Sequence, residues 1–348
     1  MSDEIQEILK IPESPVIEIV DDLVQVYKEY MVIKAALKRD LFSWLSENGP
    51  ATPEKIAVGA GIRPEFMTSL LGMLYYLDMV RKNGDEYAIS PAARMHFVKN
   101  SPFYQGDYIM NIAADDSPWK DIDVFLTHPE KKQTFDTLSA ESVRSEANLA
   151  LRGTIQNVIN ILKTWDGFLS ARSFLEVQSG HGLYAIAACQ NNPKMTATVL
   201  TGSVDPSFAE ENIEKFGMKN RIQVVSGDIE SYQGSASDIV LVAHVLYSHI
   251  GTLPAILSKL ASMISQGGLF LSNHWFSSPP VGTGMQGLYE LELAIHNRYH
   301  QLPDKREFEK LCDDCGLIIR QSGVIRSRYG ESSLHLAQKS NGQLLNTV

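Results

Sequence analysis

Cysteine is scarce in this chain, with three residues in 348. That excludes a disulfide-stapled scaffold and fits a reducing compartment. Cys312 and Cys315 form a CxxC, but no second pair exists to complete a zinc site, and they read as ordinary thiols on a helix ending at Gly316. Long apolar runs are missing too. No stretch approaches the roughly 18–20 residues of a membrane span, and the acidic start Met1-Ser2-Asp3-Glu4 is unlike a signal peptide. Positive charge is in deficit: Lys and Arg number 31 against 41 Asp and Glu, a net charge of −10. General affinity for nucleic acid or an anionic membrane is therefore not expected, and the expected location is the cytoplasm. Repeats and low-complexity tracts are absent as well. What remains is 44% hydrophobic and 21% charged, a balance that buries a sizeable core, and the length suggests two domains.

The first hundred residues read as helices followed by a hairpin. Val20, Leu23, Val24, Tyr27, Met31, Leu37 and Leu41 recur near the helical period and predict a helix over 17–45, stopped by Asn48-Gly49-Pro50. Thr52-Pro53 starts a short helix and Arg63-Pro64 another, which carries Phe66, Leu70, Leu71, Leu74 and Leu77. Asn83-Gly84 marks a hairpin turn. Helix, turn, helix and wing suggest a winged helix. Its second helix has no Lys or Arg from Glu65 to Leu77, whereas a groove-reading helix needs basic and amide side chains. Dimerisation suits that apolar helix better than DNA binding. Residues 101–165 read as a mainly helical connector, with one helix over 139–162.

From Ser173 strands alternate with helices: strands over 173–177, 198–201, 222–225, 238–242 and 269–272, and helices over 183–190, 206–216, 254–264 and 307–315. Late strands near 316–320 and 333–338 complete the pattern. This predicts an α/β fold, a Rossmann-like doubly wound parallel sheet behind a mainly helical N-terminal domain. The expected domains are 1–100, 101–165 and 166–348. The stretch Phe174-Leu175-Glu176-Val177-Gln178-Ser179-Gly180-His181-Gly182 organises the second half. An apolar strand ends in an acid, a Gly-containing loop follows and a small-residue helix begins, the arrangement that holds nucleotide-type cofactors.

With Asn212-Ile213, Phe216-Gly217, Ser226-Gly227-Asp228, Gly267-Gly268 and Cys315-Gly316-Leu317 in the same order, the chain resembles the S-adenosylmethionine-dependent O-methyltransferases that carry an N-terminal winged-helix dimerisation domain. The resemblance runs from about residue 20 to residue 338. It implies a homodimer that methylates a small molecule with S-adenosylmethionine as cofactor. The family loop is an acid, an apolar residue and Gly-Gly-Gly-x-Gly. Here Glu176, Gly180 and Gly182 persist, while Gln178 and Ser179 replace two glycines. The acid expected after the second strand is replaced by Thr201 or Gly202, with Asp205 the nearest carboxylate. Asp228 and Ile229 match the adenine-side pair, and Ala243 and His244 follow the fourth strand.

The family's catalytic His-Asp-Trp is disrupted. Its match is Tyr247-Ser248-His249 or Asn273-His274-Trp275, depending on which strand end is aligned. An acceptor hydroxyl needs a base that titrates near working pH, which imidazole supplies. His249 or His274 is therefore the candidate base, with Tyr247 orienting the acceptor; the alternative is transfer by proximity alone. His181, His244, His249, His274, His296 and His300 all fall in the second half, the last two spaced i, i+4. A metal site is not expected from them, because no His-Glu-x-x-His pattern accompanies the pair. Glu290 and Glu292 read as a solvated face, and Trp275, Met285 and Tyr289 as core or acceptor pocket. Two other readings stand beside methyl transfer: a changed reaction on the same fold, and a non-catalytic ligand-binding protein motivated by Gln178, Ser179 and Thr201.

Overall fold

A computed structural model of the chain describes residues 15–115, 117, 119–120, 122–127, 140–276, 288, 291, 304–327 and 330–340. The chain divides into two compact units, one ending at Met110 and one beginning at Asn111. The stretch expected as a connector is shared between them.

In the first unit the long periodic segment forms two helices, α1 (Pro15–Lys38) and α2 (Leu41–Asn48). Asp40 separates them at φ 53, a left-handed conformation that Asp tolerates because its short side chain can bond locally. Helices α3 (Pro53–Ala60) and α4 (Pro64–Tyr76) follow, each with Pro in its first turn, then strands β1 (Val80–Asn83) and β2 (Glu86–Ile89) and helix α5 (Pro91–Phe97). The two strands form an antiparallel hairpin whose last register pair is Asn83 with Glu86, around the expected turn. Leu41, Phe42, Leu45, Ile56, Met67, Leu71 and Leu74 are buried together, and each such side chain stabilises the unit by about 1.5–3 kcal/mol. Helix α6 (Gly106–Ile112) begins in this unit, where Ile109 O accepts a 2.6 Å bond from Tyr30 Oη. The outer half of α1 is different. Ile17, Ile19, Val20, Leu23, Val24, Val26 and Tyr27 are all exposed, by 45–65%.

The second unit contains α7 (Ile122–Thr127), α8 (Ala140–Ala150) and α9 (Thr154–Leu162) ahead of the sheet. The helix expected over 139–162 breaks at Gly153, whose φ of 117 lies outside any helix. The sheet has seven strands: β3 (Ser173–Val177), β4 (Thr196–Leu200), β5 (Ile222–Val225), β6 (Ser237–Ala243), β7 (Ile264–His274), β8 (Leu317–Ser327) and β9 (Gly330–Lys339), in the order β5-β4-β3-β6-β7-β9-β8. The first five run parallel, and β9 enters antiparallel between β7 and β8. Helices α10 (Leu183–Asn191), α11 (Ser207–Lys215), α12 (Leu253–Ser262) and α13 (Lys305–Asp314) pack on the sheet among the described residues. Two apolar clusters fill the layers. One joins α8–α11 to Phe174, Val199, Ile239 and Leu271; the other joins α12 and α13 to Leu175, Val177, Val240 and Phe270. Alternation along the same strands supplies both, as a sheet buried on two faces requires.

The expected doubly wound fold is therefore present. Strand order reverses between β3 and β6, and in such sheets ligands bind beyond the carboxyl ends of the strands at that reversal. Among the described residues no helix is long and apolar enough to cross a membrane.

Candidate cofactor and catalytic site

Two residues flank the reversal in the same unusual way. Gln178 follows β3 at φ 56 and His244 follows β6 at φ 57, two of four non-glycine residues with positive φ among the described residues. Such backbone costs on the order of 1 kcal/mol or more and gathers at functional sites.

The loop after β3 is built from the inside outwards. Glu176 is fully buried and accepts hydrogen bonds from the Ser179 hydroxyl and from Ala185 N, the latter at 2.6 Å. Burial pushes its carboxyl up to about 7, although those bonds pull the other way. His181 is buried as well, and burial holds its imidazole down at about 4. Its Nδ1 lies 3.6 Å from Glu176 Oε1 but accepts from Leu183 N at 3.1 Å, so that nitrogen carries no proton to share with the carboxyl. Asn212 Nδ2 donates to His181 O at 2.9 Å and ties the loop to α11. Gly180 and Gly182 have φ of 72 and 70, and a β-carbon on Gly180 would stand 3.1 Å from Val143 and 3.3 Å from Val204. Backbone alone fits there.

The ends of β4 and β5 are more open. Thr201 is buried, and its hydroxyl has no partner among the described residues. Gly202 bridges to Gly227. Asp205 is exposed and accepts from Ser207 N at 2.9 Å. Asp228 is exposed too and accepts from Ser231 N at 2.9 Å and Ser231 Oγ at 2.5 Å; these bonds hold its carboxyl below the usual range. Ile229 packs in the core. A cavity of about 300 Å³ opens beside this edge, lined by Leu200, Val225, Gly227, Ser231, Tyr232 and Gln233 among others.

Beyond β6 and β7 the polar groups converge. Tyr247 Oη accepts from Trp275 N at 2.7 Å and lies 3.0 Å from His244 Nδ1. The Asn273 amide lies 3.2 Å from His244 Nε2. A neutral imidazole accepts at one nitrogen only. With Tyr247 donating to Nδ1, the proton sits on Nε2 and the Asn273 amide oxygen is its acceptor; the reverse amide orientation leaves that oxygen buried without a partner. His274 is fully buried, accepts from Leu246 N at 3.3 Å through Nε2 and pairs with Ser272 Oγ at 2.9 Å through Nδ1. Burial, with His244 and His335 nearby, holds it neutral, well below the usual range. Both of its nitrogens are committed to the protein. His249 stands apart, 3.4 Å from Glu230. His296, His300, Met285, Tyr289, Glu290 and Glu292 lie outside the described residues.

The structure thus gathers Glu176, Gln178, Ser179, Gly180 and Gly182 in one loop, and His244, Tyr247 and His274 in one cluster; His249 joins the Asp228 edge. Sequence reasoning passed over Ser272, whose place in the strand alternation looks ordinary, and named Asn212 only as part of the family pattern, without its bond to His181 O. It named Asn273 only as a neighbour of His274, and nothing in the spacing announces its pairing with His244.

No protein-family profile matches the chain. In sequence it is similar to an uncharacterized protein of Methanocaldococcus jannaschii, 23% identical over 280 residues, 78% of this chain and 73% of that one. It is also similar to the N,N-dimethyltransferase OxyT of Streptomyces rimosus, 21% identical over 324 residues, 89% of this chain and 93% of the other. In structure it is similar to human N-acetylserotonin methyltransferase, solved in complex with S-adenosylmethionine, at 16% identity and a TM-score of 0.71, covering 95% of this chain and 100% of that chain. The fold is that of the class I methyltransferases, and the chain is a divergent relative of these proteins.

Proposed function

We propose that the protein is an S-adenosylmethionine-dependent methyltransferase acting on a small-molecule acceptor. The observation that carries this reading is the buried loop from Glu176 to Gly182 at the strand reversal, in a chain similar over 89% of its length to an N,N-dimethyltransferase. The residues fit the cofactor: glycine backbone at positions 180 and 182, and the Thr201 hydroxyl, unpartnered among the described residues. The loop 179–182 would hold its methionine part, and Asp228, Ile229, Ala243 and His244 its adenosine part. When bound, the cofactor supplies an electrophilic methyl group on a sulfonium, so positioning provides most of the catalysis.

For a hydroxyl acceptor, Tyr247 is the group that meets the proton and His244 the imidazole that receives it, with Asn273 fixing its tautomer. His274 supports them by holding Leu246. An amine acceptor attacks through its lone pair and needs less of this relay, which accords with the loss of the family's His-Asp-Trp. The outer half of α1 is the dimerisation surface, since its apolar side chains are exposed and join no core cluster among the described residues. The three free thiols, Cys189, Cys312 and Cys315, suit the cytoplasm, and the acidic balance speaks against a nucleic-acid partner.

Calorimetry with S-adenosylmethionine and S-adenosylhomocysteine tests the central claim, followed by transfer of labelled methyl to a panel of small phenols and aromatic amines. Binding in the micromolar range is expected; no heat with either ligand rejects the reading. For the dimer, light scattering should give twice the chain mass, and Leu23→Glu should halve it.

A further inference from the structure

We propose that Gln178 is the residue through which this chain recognises the ribose hydroxyls of its cofactor, a role that doubly wound folds ordinarily give to an acid about 20 residues beyond the Gly loop. The inference rests on the cofactor reading above. At the end of β4, where that acid belongs, stand Thr201 and Gly202. The next carboxylate, Asp205, is exposed and engaged with Ser207 N at 2.9 Å. Among the described residues no acid stands at the place.

Gln178 does. Its backbone N–H donates to Leu200 O at 2.6 Å, which pins the loop to the end of β4. Its side chain lies across Gly202: a β-carbon there would fall 3.2 Å from Nε2 and 3.3 Å from Cγ of Gln178. The missing side chain at 202 and the added one at 178 are therefore the same space, filled from the neighbouring strand. The residue is half-buried, and its amide bonds to no described residue. A primary amide offers one acceptor and two donors, so it can bond both hydroxyls of a cis-diol, where a carboxylate can only accept. This also accounts for a non-glycine residue at φ 56: the strain of that backbone is tolerated because the position needs a side chain.

The test is calorimetric and needs no acceptor. S-adenosylhomocysteine and its 2′,3′-dideoxy analogue are titrated into the full chain and into Q178L and Q178E, with thermal midpoints recorded for each. Leucine matches the volume of the side chain without its hydrogen bonds, and glutamate returns a carboxylate. The expected result is that Q178L weakens S-adenosylhomocysteine at least tenfold and the dideoxy analogue less than threefold, while Q178E stays within threefold of the parent on both. Unchanged affinity in Q178L, or equal losses on both ligands, overturns the proposal and leaves the cofactor reading intact. If the parent chain binds neither ligand, the cofactor reading falls and this inference with it. Should Q178L not fold, Q178A takes its place and is read the same way: a loss confined to the diol-bearing ligand supports the role, and no loss or a loss shared by both ligands overturns it.

Discussion

Two Glu–His pairs stand at strand ends on the same side of the sheet and share little beyond composition. Glu176 and His181 are 3.6 Å apart with side chains 0% and 6% exposed; Glu230 and His249 are 3.4 Å apart with side chains 54% and 15% exposed. In the first pair burial drives both groups towards neutrality, the carboxyl up to about 7 and the imidazole down to about 4. The second pair remains in contact with water, where Coulomb attraction is screened and contributes little. Distance between charges is thus a poor guide to what a pair does. Here the buried pair is a framework that shapes a backbone loop, and the open one belongs to a surface edge.

The largest effect that tests this contrast is acid destabilisation. His181, His274 and His335 are buried and held below the ordinary value of 6.5, mainly by burial. A depressed imidazole contributes stability that is present above 6.5 and lost as pH falls. Glu176 works in the opposite direction, since its raised carboxyl takes up a proton in the folded chain first. Between pH 6 and pH 5 the unfolded chain therefore binds about two more protons than the folded one, three from imidazoles less one from Glu176. Stability therefore falls with pH by about 3 kcal/mol per pH unit. Urea titrations at pH 7, 6 and 5 measure it, and a flat profile would mean that these imidazoles are accessible to protons.

Next in size is Glu176→Gln. The folded carboxyl is raised from 4.5 to about 7, so its stabilising contribution is complete below 4.5 and disappears as pH rises through 7. Glutamine cannot ionise, yet it can accept from Ala185 N and donate to Ser179 Oγ. The variant should match the parent near pH 4.5 and exceed it by up to about 3 kcal/mol at pH 8. A variant less stable than the parent at pH 8 would show that the charged form is the one the loop needs.

Third comes His274→Ala, which strands Leu246 N and Ser272 Oγ, both in fully buried residues. The cost should be about 2–3 kcal/mol in urea unfolding at pH 7.5. A loss under 0.5 kcal/mol would free His274 from its framework role and return it to consideration as a base.

Much of the fold could be read from residue order, because alternation and glycine placement are local properties. The five parallel strands and the loop from Glu176 to Gly182 are signalled within ten residues of themselves. Boundaries failed where one residue decides them. Asp40 and Gly153 break helices whose apolar period continues past the break, since periodicity does not register φ. The site was less legible. His274 and His249 look alike in sequence, each near a strand end, and only burial separates them. The contact between Asn273 and His244 joins residues 29 apart on adjacent strands, and Gln178 meets Gly202 across two strands. Those partners come from register and strand order, which no local motif contains.

The smallest effect completes the comparison between the pairs. His249→Ala and Glu230→Gln should each alter stability by no more than about 0.5 kcal/mol, because a half-solvated pair loses little when one partner is removed. Single variants alone cannot separate an interaction from its surroundings, so the informative quantity is the coupling energy from a double-mutant cycle. For Glu230 and His249 it should stay within about 0.5 kcal/mol at pH 7 and shrink further in 0.5 M salt. For Glu176→Gln with His181→Ala it should exceed about 1 kcal/mol and ignore salt, since these side chains act through the loop backbone they jointly hold rather than through net charge. Equal couplings in the two cycles would erase the distinction. A salt-sensitive coupling at Glu176 would be more damaging, for it would mean that an ion pair, rather than two neutral groups fixed by backbone donors, shapes the loop on which the proposed cofactor site depends.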